Sequence, residues 1–278
     1  MRVDLADKLA LVTGGAGGIG SATARLLVEA GARVVAMDRL ERIPASLANL
    51  PLEYRQLDVT DELAWAELVM AVDAEHGRID MLVNAAGIEG DQGRNTIAST
   101  TLEDWRRVHA INLDGTFLGC RSVMPVMERA GHGAIVNVSS VASYFPMPFN
   151  CAYGSSKAAV QHLTRSVAAW GSRNGHRIRC NSVHPGLVRT DMLRSIAAAG
   201  ALRDGLSADA AIDQHARSAI PLGRAAEPED VARQILYLSS DLAGQVTGAD
   251  FRIDGGWTLA AGGWQRRLAL LDGPPSTS

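Results

Sequence analysis

The chain has 278 residues, enough for one large α/β domain or two small ones, with 47% apolar and 21% charged residues, an ordinary balance for a globular protein. A formal net charge of −3 leaves no basic footprint for nucleic acid or an anionic membrane, and no apolar run approaches the ~18 residues needed to span a bilayer. Cys120, Cys151 and Cys180 are far apart with no CxxC pairing, and Met1 to Asp7 lacks a signal peptide's apolar stretch, so reduced thiols and a cytoplasmic protein are expected.

Lys8 to Thr13 is a short apolar strand, followed at once by the turn Gly14-Gly-Ala-Gly-Gly-Ile-Gly20 and a helical stripe of Ala22, Leu26, Leu27 and Ala30 that Gly31 stops. Strand, glycine turn and helix together are the context a dinucleotide-binding turn needs. The helix start offers free N–H groups and a positive dipole end to a pyrophosphate. Arg33 to Asp38 is a second strand ending in a carboxylate suited to ribose hydroxyls and repulsive to a 2′-phosphate, which favours NAD over NADP; Arg39 is the opposing sign.

A third strand spans Glu53 to Asp58, with Asp58 and Val59 at its ligand-facing end. A helix then runs from Thr60, its expected N-cap, to about Glu75, and Gly77 closes it. The fourth strand, Ile79 to Val83, leads into Asn84-Ala-Ala-Gly87, a small-residue turn, and residues 88–100 form a polar loop. Leu102 to Arg129 reads as two helical segments meeting near Asn112. A fifth strand, Ala134 to Val138, ends in Ser139-Ser140. Between Val141 and Asn150 the apolar residues Tyr144, Phe145, Met147 and Phe149 suit a substrate wall or a subunit contact equally.

Tyr153-Gly-Ser-Ser-Lys157 opens a long helix reaching about Ser172, on which residues four apart share a face. Bringing a tyrosine from its usual pKa of ~10 to near neutrality takes roughly 4 kcal/mol. A unit charge ~4 Å away at an effective dielectric of ~20 supplies about that much. Arg177 to Val183 is a sixth strand ending at His184-Pro185-Gly186, with His184 read as structural. The Ala-rich stretch 187–220, carrying Met192, Leu193, Ile196, Leu202 and Leu206, is placed as a substrate lid. Glu227-Pro228 opens another helix and Asp250 to Asp254 is a last strand; the tail 261–278 is expected to dock on a neighbouring subunit or fray. No HExxH pattern and no G-x-S-x-G elbow occur, so neither a metal site nor a hydrolase is expected.

The alternation of strands and helices predicts a single α/β domain over 1–260: a Rossmann-type, doubly wound, mostly parallel seven-stranded sheet with helices on both faces. TGGAGGIG at 13–20, NAAG at 84–87, Asn112, Ser140, YGSSK at 153–157 and PG at 185–186 together resemble the short-chain dehydrogenase/reductase family, departing only in NAAG where NNAG is commoner. The stretch 117–190 is similar to bacterial hydroxysteroid and cyclic-alcohol dehydrogenases of that family.

The resemblance implies that Tyr153 acts as general acid/base, that Lys157 lowers its pKa, that Ser140 holds the substrate oxygen and that Asn112 anchors a water relay. It implies a cofactor site formed by Gly14, Gly18, Ile19, Gly20, Asp38, Asp58, Val59, Asn84, Ala85, Gly87, Tyr153, Lys157, Val183, Pro185, Gly186, Val188 and Thr190. Substrate contacts are expected from Ser140, Tyr153, Phe145, Met147 and Met192. The activity expected is NAD-dependent interconversion of an apolar secondary alcohol (hydroxysteroid, alicyclic or aryl) and its ketone, in a homotetramer or homodimer with no nucleic-acid or membrane partner. The alternatives are an NADPH-dependent 3-oxoacyl reductase and a non-catalytic nucleotide-binding sensor.

Overall fold

The computed structural model describes residues 3–91, 96–203 and 205–260; the expected tail 261–278, part of the 88–100 loop and the side chain of Leu202 lie outside the described residues. Seven strands form one sheet: β1 (Leu9–Thr13), β2 (Arg33–Asp38), β3 (Glu53–Gln56), β4 (Met81–Asn84), β5 (His132–Val138), β6 (Arg177–Pro185) and β7 (Asp250–Ile253). Their order is β3-β2-β1-β4-β5-β6-β7 and every pairing is parallel. The order reverses between β1 and β4, so connections leave to opposite sides there and open a crevice at the carboxyl ends of the strands.

A parallel sheet needs both faces covered, and the strands are apolar at consecutive positions for that reason. Leu9, Leu11, Val35, Met37, Leu82 and Ile135 face one side. There they meet α2 (Glu62–His76), α4 (Gly115–Ala130) and α5 (Cys151–Gly171) through Trp65, Val69, Val123, Met127 and Ala168. Ala10, Val12, Val34, Ala36, Val83 and Val136 face the other side, against Leu27 of α1 (Gly18–Glu29) and Val231, Ile235 and Leu238 of α8 (Pro228–Ser239). The alternation along each strand is the period-two geometry of extended chain.

Two polar features cross this core. Asn84 and Asn137 are register partners on β4 and β5. Asn84 Nδ2 donates to Asn137 Oδ1 at 2.9 Å, and Asn137 Nδ2 donates to Thr164 Oγ1 of α5 at 3.0 Å. The fully buried Trp65 indole donates to the Val59 carbonyl at 3.1 Å, fixing the loop after β3. Such pairing is what makes buried polar groups tolerable.

The expected helix over 102–129 is divided as anticipated: α3 (Leu102–His109), one wide turn of π-helix over Ala110–Asp114, then α4. Thr60 is not the cap of α2; Asp61 is, accepting from Ala64 N at 3.0 Å. The Thr60 hydroxyl is held instead by Asp58 Oδ1 at 2.7 Å. The 187–220 stretch folds as α6 (Asp191–Arg203) and α7 (Ala208–Ala219) over a small core of Ile212, Ala216, Ile220 and Ala225, against which Leu187, Leu193 and Trp257 pack. Among the described residues no helix is long and apolar enough to cross a membrane.

Candidate active site

The glycine turn is built from close backbone approaches. Gly14 has φ +66°, and a Cβ there would lie 2.7 Å from Ala86 N; a Cβ on Gly20 would lie 2.1 Å from the Gly14 carbonyl oxygen. Only glycine meets both conditions. α1 begins after Gly17 with no side-chain cap, so its first-turn N–H groups are left for a ligand. Thr13, at the end of β1, joins the two sides of the crevice: its Oγ1 accepts from Ala85 N at 3.0 Å and from Ala86 N at 3.2 Å. Asp38 Oδ2 accepts from Ala16 N at 3.0 Å, which ties the turn to the end of β2.

These residues enclose a cavity of about 310 Å³ lined by Gly14, Gly18, Ile19, Gly20, Asp38, Arg39, Asp58, Val59, Ala85, Gly87 and Thr190. A second cavity of about 240 Å³ adjoins it, sharing Ile19, Ala85, Gly87, Thr190 and Met192. Ser140, Tyr153 and Lys157 face the second cavity, whose far wall is Phe145, Met147, Leu187, Leu193, Ile196 and Trp257. Free helix-start N–H groups, a glycine cradle and a carboxylate at the end of β2 fit a nicotinamide dinucleotide.

Serine, tyrosine and lysine come together by three separate devices. Tyr153 and Lys157 sit one turn apart on α5, with the Lys157 ammonium 5.7 Å from the phenol ring centroid. Ser139 Oγ donates to the Lys157 carbonyl at 2.8 Å, clamping the end of β5 to α5. Ser140 caps the short turn Val141–Ser143, and its carbonyl accepts from buried His184 Nδ1 at 3.0 Å. His184 reaches Ser182 through Nε2 at 2.8 Å; burial, the largest influence, lowers its pKa. Its role is to hold Ser140, in line with its reading as structural.

The electrostatics depart from expectation. Burial pushes the Tyr153 phenol up to about 12; Ser140's hydroxyl opposes the rise and the charge of Glu89 adds to it. Burial also brings Lys157 down to about 8. The expected acidification of the phenol does not prevail over burial here: Lys157 Nζ donates to the Val138 carbonyl at 2.8 Å and lies 5.7 Å from the ring centroid.

Residues 14–258 match the family model described as enoyl-(acyl carrier protein) reductase. The chain is 36% identical over 266 residues to a trans-4-hydroxycyclohexanecarboxylate dehydrogenase of Sinomonas cyclohexanicum, covering 91% of this chain and 94% of that one. The chain belongs to the short-chain dehydrogenase/reductase family. A 3-alpha-(or 20-beta)-hydroxysteroid dehydrogenase of Mycobacterium tuberculosis is 39% identical over 256 residues, covering 91% of this chain and 90% of its own. The aldohexose dehydrogenase of Thermoplasma acidophilum superposes with a TM-score of 0.84 at 30% identity, over 93% of this chain and 97% of that one. As a short-chain dehydrogenase/reductase the protein is an oxidoreductase acting on CH–OH groups, with a nicotinamide dinucleotide as cofactor.

Within this short-chain dehydrogenase/reductase most of the expected residues line one of the two cavities, Pro185, Gly186 and Val188 among them. Three do not. Asn84 is buried in the Asn137 pair, and Val183 is a core residue of β6. Asn112 is fully buried and grips one backbone residue from both sides, Oδ1 accepting from Ile88 N at 2.8 Å and Nδ2 donating to Ile88 O at 2.9 Å. Its Nδ2 also donates to Ser156 Oγ at 3.0 Å. Asn112 still lies close to Lys157: a Cβ on Gly87 would sit 3.2 Å from Asn112 Oδ1 and 3.3 Å from Lys157 Nζ. The apolar link after β5 divides its duties, Phe145 and Met147 facing the cavity while Tyr144 and Phe149 are exposed.

The sequence reading missed Thr13, Trp257 and Glu89. Thr13 acts across 72 residues, and Trp257 arrives from beyond the last strand. Glu89 looked like one of several polar loop residues. Among the described residues, the three potential metal ligands that cluster, Glu53, Glu75 and His76, lie away from both cavities, and their carboxylates pair with Arg55.

Proposed function

We propose that the protein interconverts an apolar secondary alcohol and its ketone with NAD, Tyr153 exchanging the hydroxyl proton. The observation that carries this reading is the convergence of Ser140, Tyr153 and Lys157 on an apolar-walled cavity continuous with the one lined by the glycine turn and Asp38. NAD, when bound, supplies the hydride acceptor and a positively charged ring. Gly14, Gly18, Ile19 and Gly20 would hold its phosphates, and Asp38 its adenosine ribose hydroxyls.

Tyr153 takes the alcohol proton through its phenol oxygen, or returns it in reduction. Ser140 hydrogen-bonds the same substrate oxygen and stabilises charge developing there. Lys157 holds positive charge beside the phenol and, with Nζ turned from Val138, a ribose hydroxyl. Asn112 fixes the Ile88 backbone that borders Lys157, a positioning role here. Phe145, Met147 and Met192 select an alicyclic, aryl or steroid alcohol by apolar contact, and α6 serves as the lid that keeps water out. Exposed Phe117 on α4 and Trp170 on α5 suit subunit contacts in a dimer or tetramer, and a cytoplasmic location agrees with three free thiols.

Arg39 beside Asp38 in the same cavity favours a second reading, NADP use with a ketone such as a 3-oxoacyl group. A panel of secondary alcohols and ketones, each assayed with both cofactors, separates the two. Turnover of cyclic alcohols with NAD that disappears in Tyr153→Phe is expected. Unchanged turnover in Tyr153→Phe would refute the role given to the phenol.

A further inference from the structure

Glu89 is an acid in the wrong kind of place for a surface loop residue. It lines the second cavity together with Ser140, Tyr153 and Lys157, and its charge is felt by the Tyr153 phenol. Among the described residues its carboxylate has no hydrogen-bond or ion-pair partner. Burial raises its pKa to about 7, the cost of holding an unpaired carboxylate against an apolar wall.

The position is fixed by the backbone. Asn112 hydrogen-bonds both the N–H and the carbonyl of Ile88, so the next residue leaves from a clamped peptide. Gly90 follows with φ +92°, a conformation that turns the chain away at once. A carboxylate that leaves from a clamped backbone, and is left unpaired at a cavity wall, is arranged for something that enters the cavity.

We propose that Glu89 is a specificity residue that accepts a hydrogen bond from a second hydroxyl of the substrate, so that the enzyme prefers neutral diols to monoalcohols and disfavours substrates bearing a carboxylate. This role for Glu89 rests on the secondary-alcohol activity proposed above. One hydroxyl is engaged by Ser140 and Tyr153; Glu89 offers the only carboxylate acceptor on the described wall, amid Phe145, Met147, Leu193 and Ile196. Between about pH 7 and pH 8, where Glu89 is mostly ionised and Lys157 mostly protonated, the two bring one negative and one positive group to the same cavity, a balance that suits an uncharged ligand. A substrate carboxylate near Glu89 would meet like charge in a poorly solvated space.

The test compares wild type, Glu89→Gln and Glu89→Leu on cyclohexanol, 1,4-cyclohexanediol and 4-hydroxycyclohexanecarboxylate. Both kcat/KM with NAD and, independent of turnover, calorimetric dissociation constants in a Tyr153→Phe background are measured. Glu89→Leu is expected to lower the diol-to-cyclohexanol preference about tenfold or more, the scale of a hydrogen bond to a charged group. Glu89→Gln, which keeps the shape without the charge, is expected to raise the carboxylate-to-cyclohexanol preference about tenfold. A binding preference that moves less than about twofold in both variants overturns the assignment of Glu89. Undiminished turnover in Tyr153→Phe overturns the redox reading instead, and the binding ratios still decide on Glu89.

Discussion

Replacing Lys157 with Met separates what this side chain does for chemistry from what it does for the fold. The lysine is 4% exposed and burial brings its pKa from 10.5 to about 8, so holding the charged form inside costs about 3 kcal/mol at neutral pH. Methionine removes that cost and keeps most of the aliphatic volume. It also leaves the Val138 carbonyl without its 2.8 Å donor, a loss of about 1–3 kcal/mol. At pH 7 the variant should therefore be as stable as wild type, or more stable by up to about 2 kcal/mol, while turnover falls by orders of magnitude. Between pH 8 and 10.5 the native lysine binds fewer protons than the unfolded one, so this residue's contribution to stability rises with pH. Wild type should gain about 2–3 kcal/mol on the variant between pH 7 and pH 10. Urea unfolding followed by circular dichroism at the two pH values measures this. A difference that stays flat or falls with pH, or a loss above ~3 kcal/mol for the variant at pH 7, would refute the reasoning.

Two other substitutions probe the cofactor side. Gly20→Ala puts a Cβ 2.1 Å from the Gly14 oxygen and should cost about 3 kcal/mol, on the order of 10 °C in a thermal melt. Gly18→Ala meets the Thr190 methyl at 2.8 Å, which can rotate aside, and otherwise only Pro228 Cγ and Thr190 Cβ at 3.4 Å, so its melting temperature should fall much less; equal losses would contradict this view of the turn. Asp38→Asn keeps an acceptor for Ala16 N but removes the charge beside Arg39. The NADP-to-NAD ratio of kcat/KM should rise about tenfold or more, and an unmoved ratio would remove Asp38 from cofactor choice.

Features written in short-range spacing were legible in the sequence. Tyr153 and Lys157 one turn apart, and the glycines between β1 and α1, need only local geometry to be understood. Asp38, at the end of an apolar strand, could be placed at the crevice because strand ends converge there. What failed were properties supplied by residues far along the chain. Asn84 looked like a cofactor ligand, but its partner Asn137 stands 53 residues away on the neighbouring strand. Thr60 looked like a cap until Asp58 claimed its hydroxyl. Glu89, in a loop of glycine and polar residues, carries no pattern that separates it from its neighbours; only the folded chain encloses it. The phenol's pKa is likewise set by burial and by Ser140 and Glu89, which lie far from Tyr153 along the chain.

The wide turn at Ala110–Asp114 has a consequence for how this protein can diverge. There Gly115 N reaches back five residues to Ala110 O, so the rod made by α3 and α4 carries a one-residue dislocation. Each residue of a helix turns its successors by about 100°. Upstream of the dislocation, α3 leans on α5; downstream, Leu118, Val123 and Met127 point at the sheet, and Asn112 sits at the joint with its grip on Ile88. Removing one residue here would relax the rod into an ordinary helix and swing either the apolar stripe off the sheet or the asparagine off its loop. An outer loop tolerates a change of length far better, because little packs on it; the residue count through this joint is locked like the teeth between two gears.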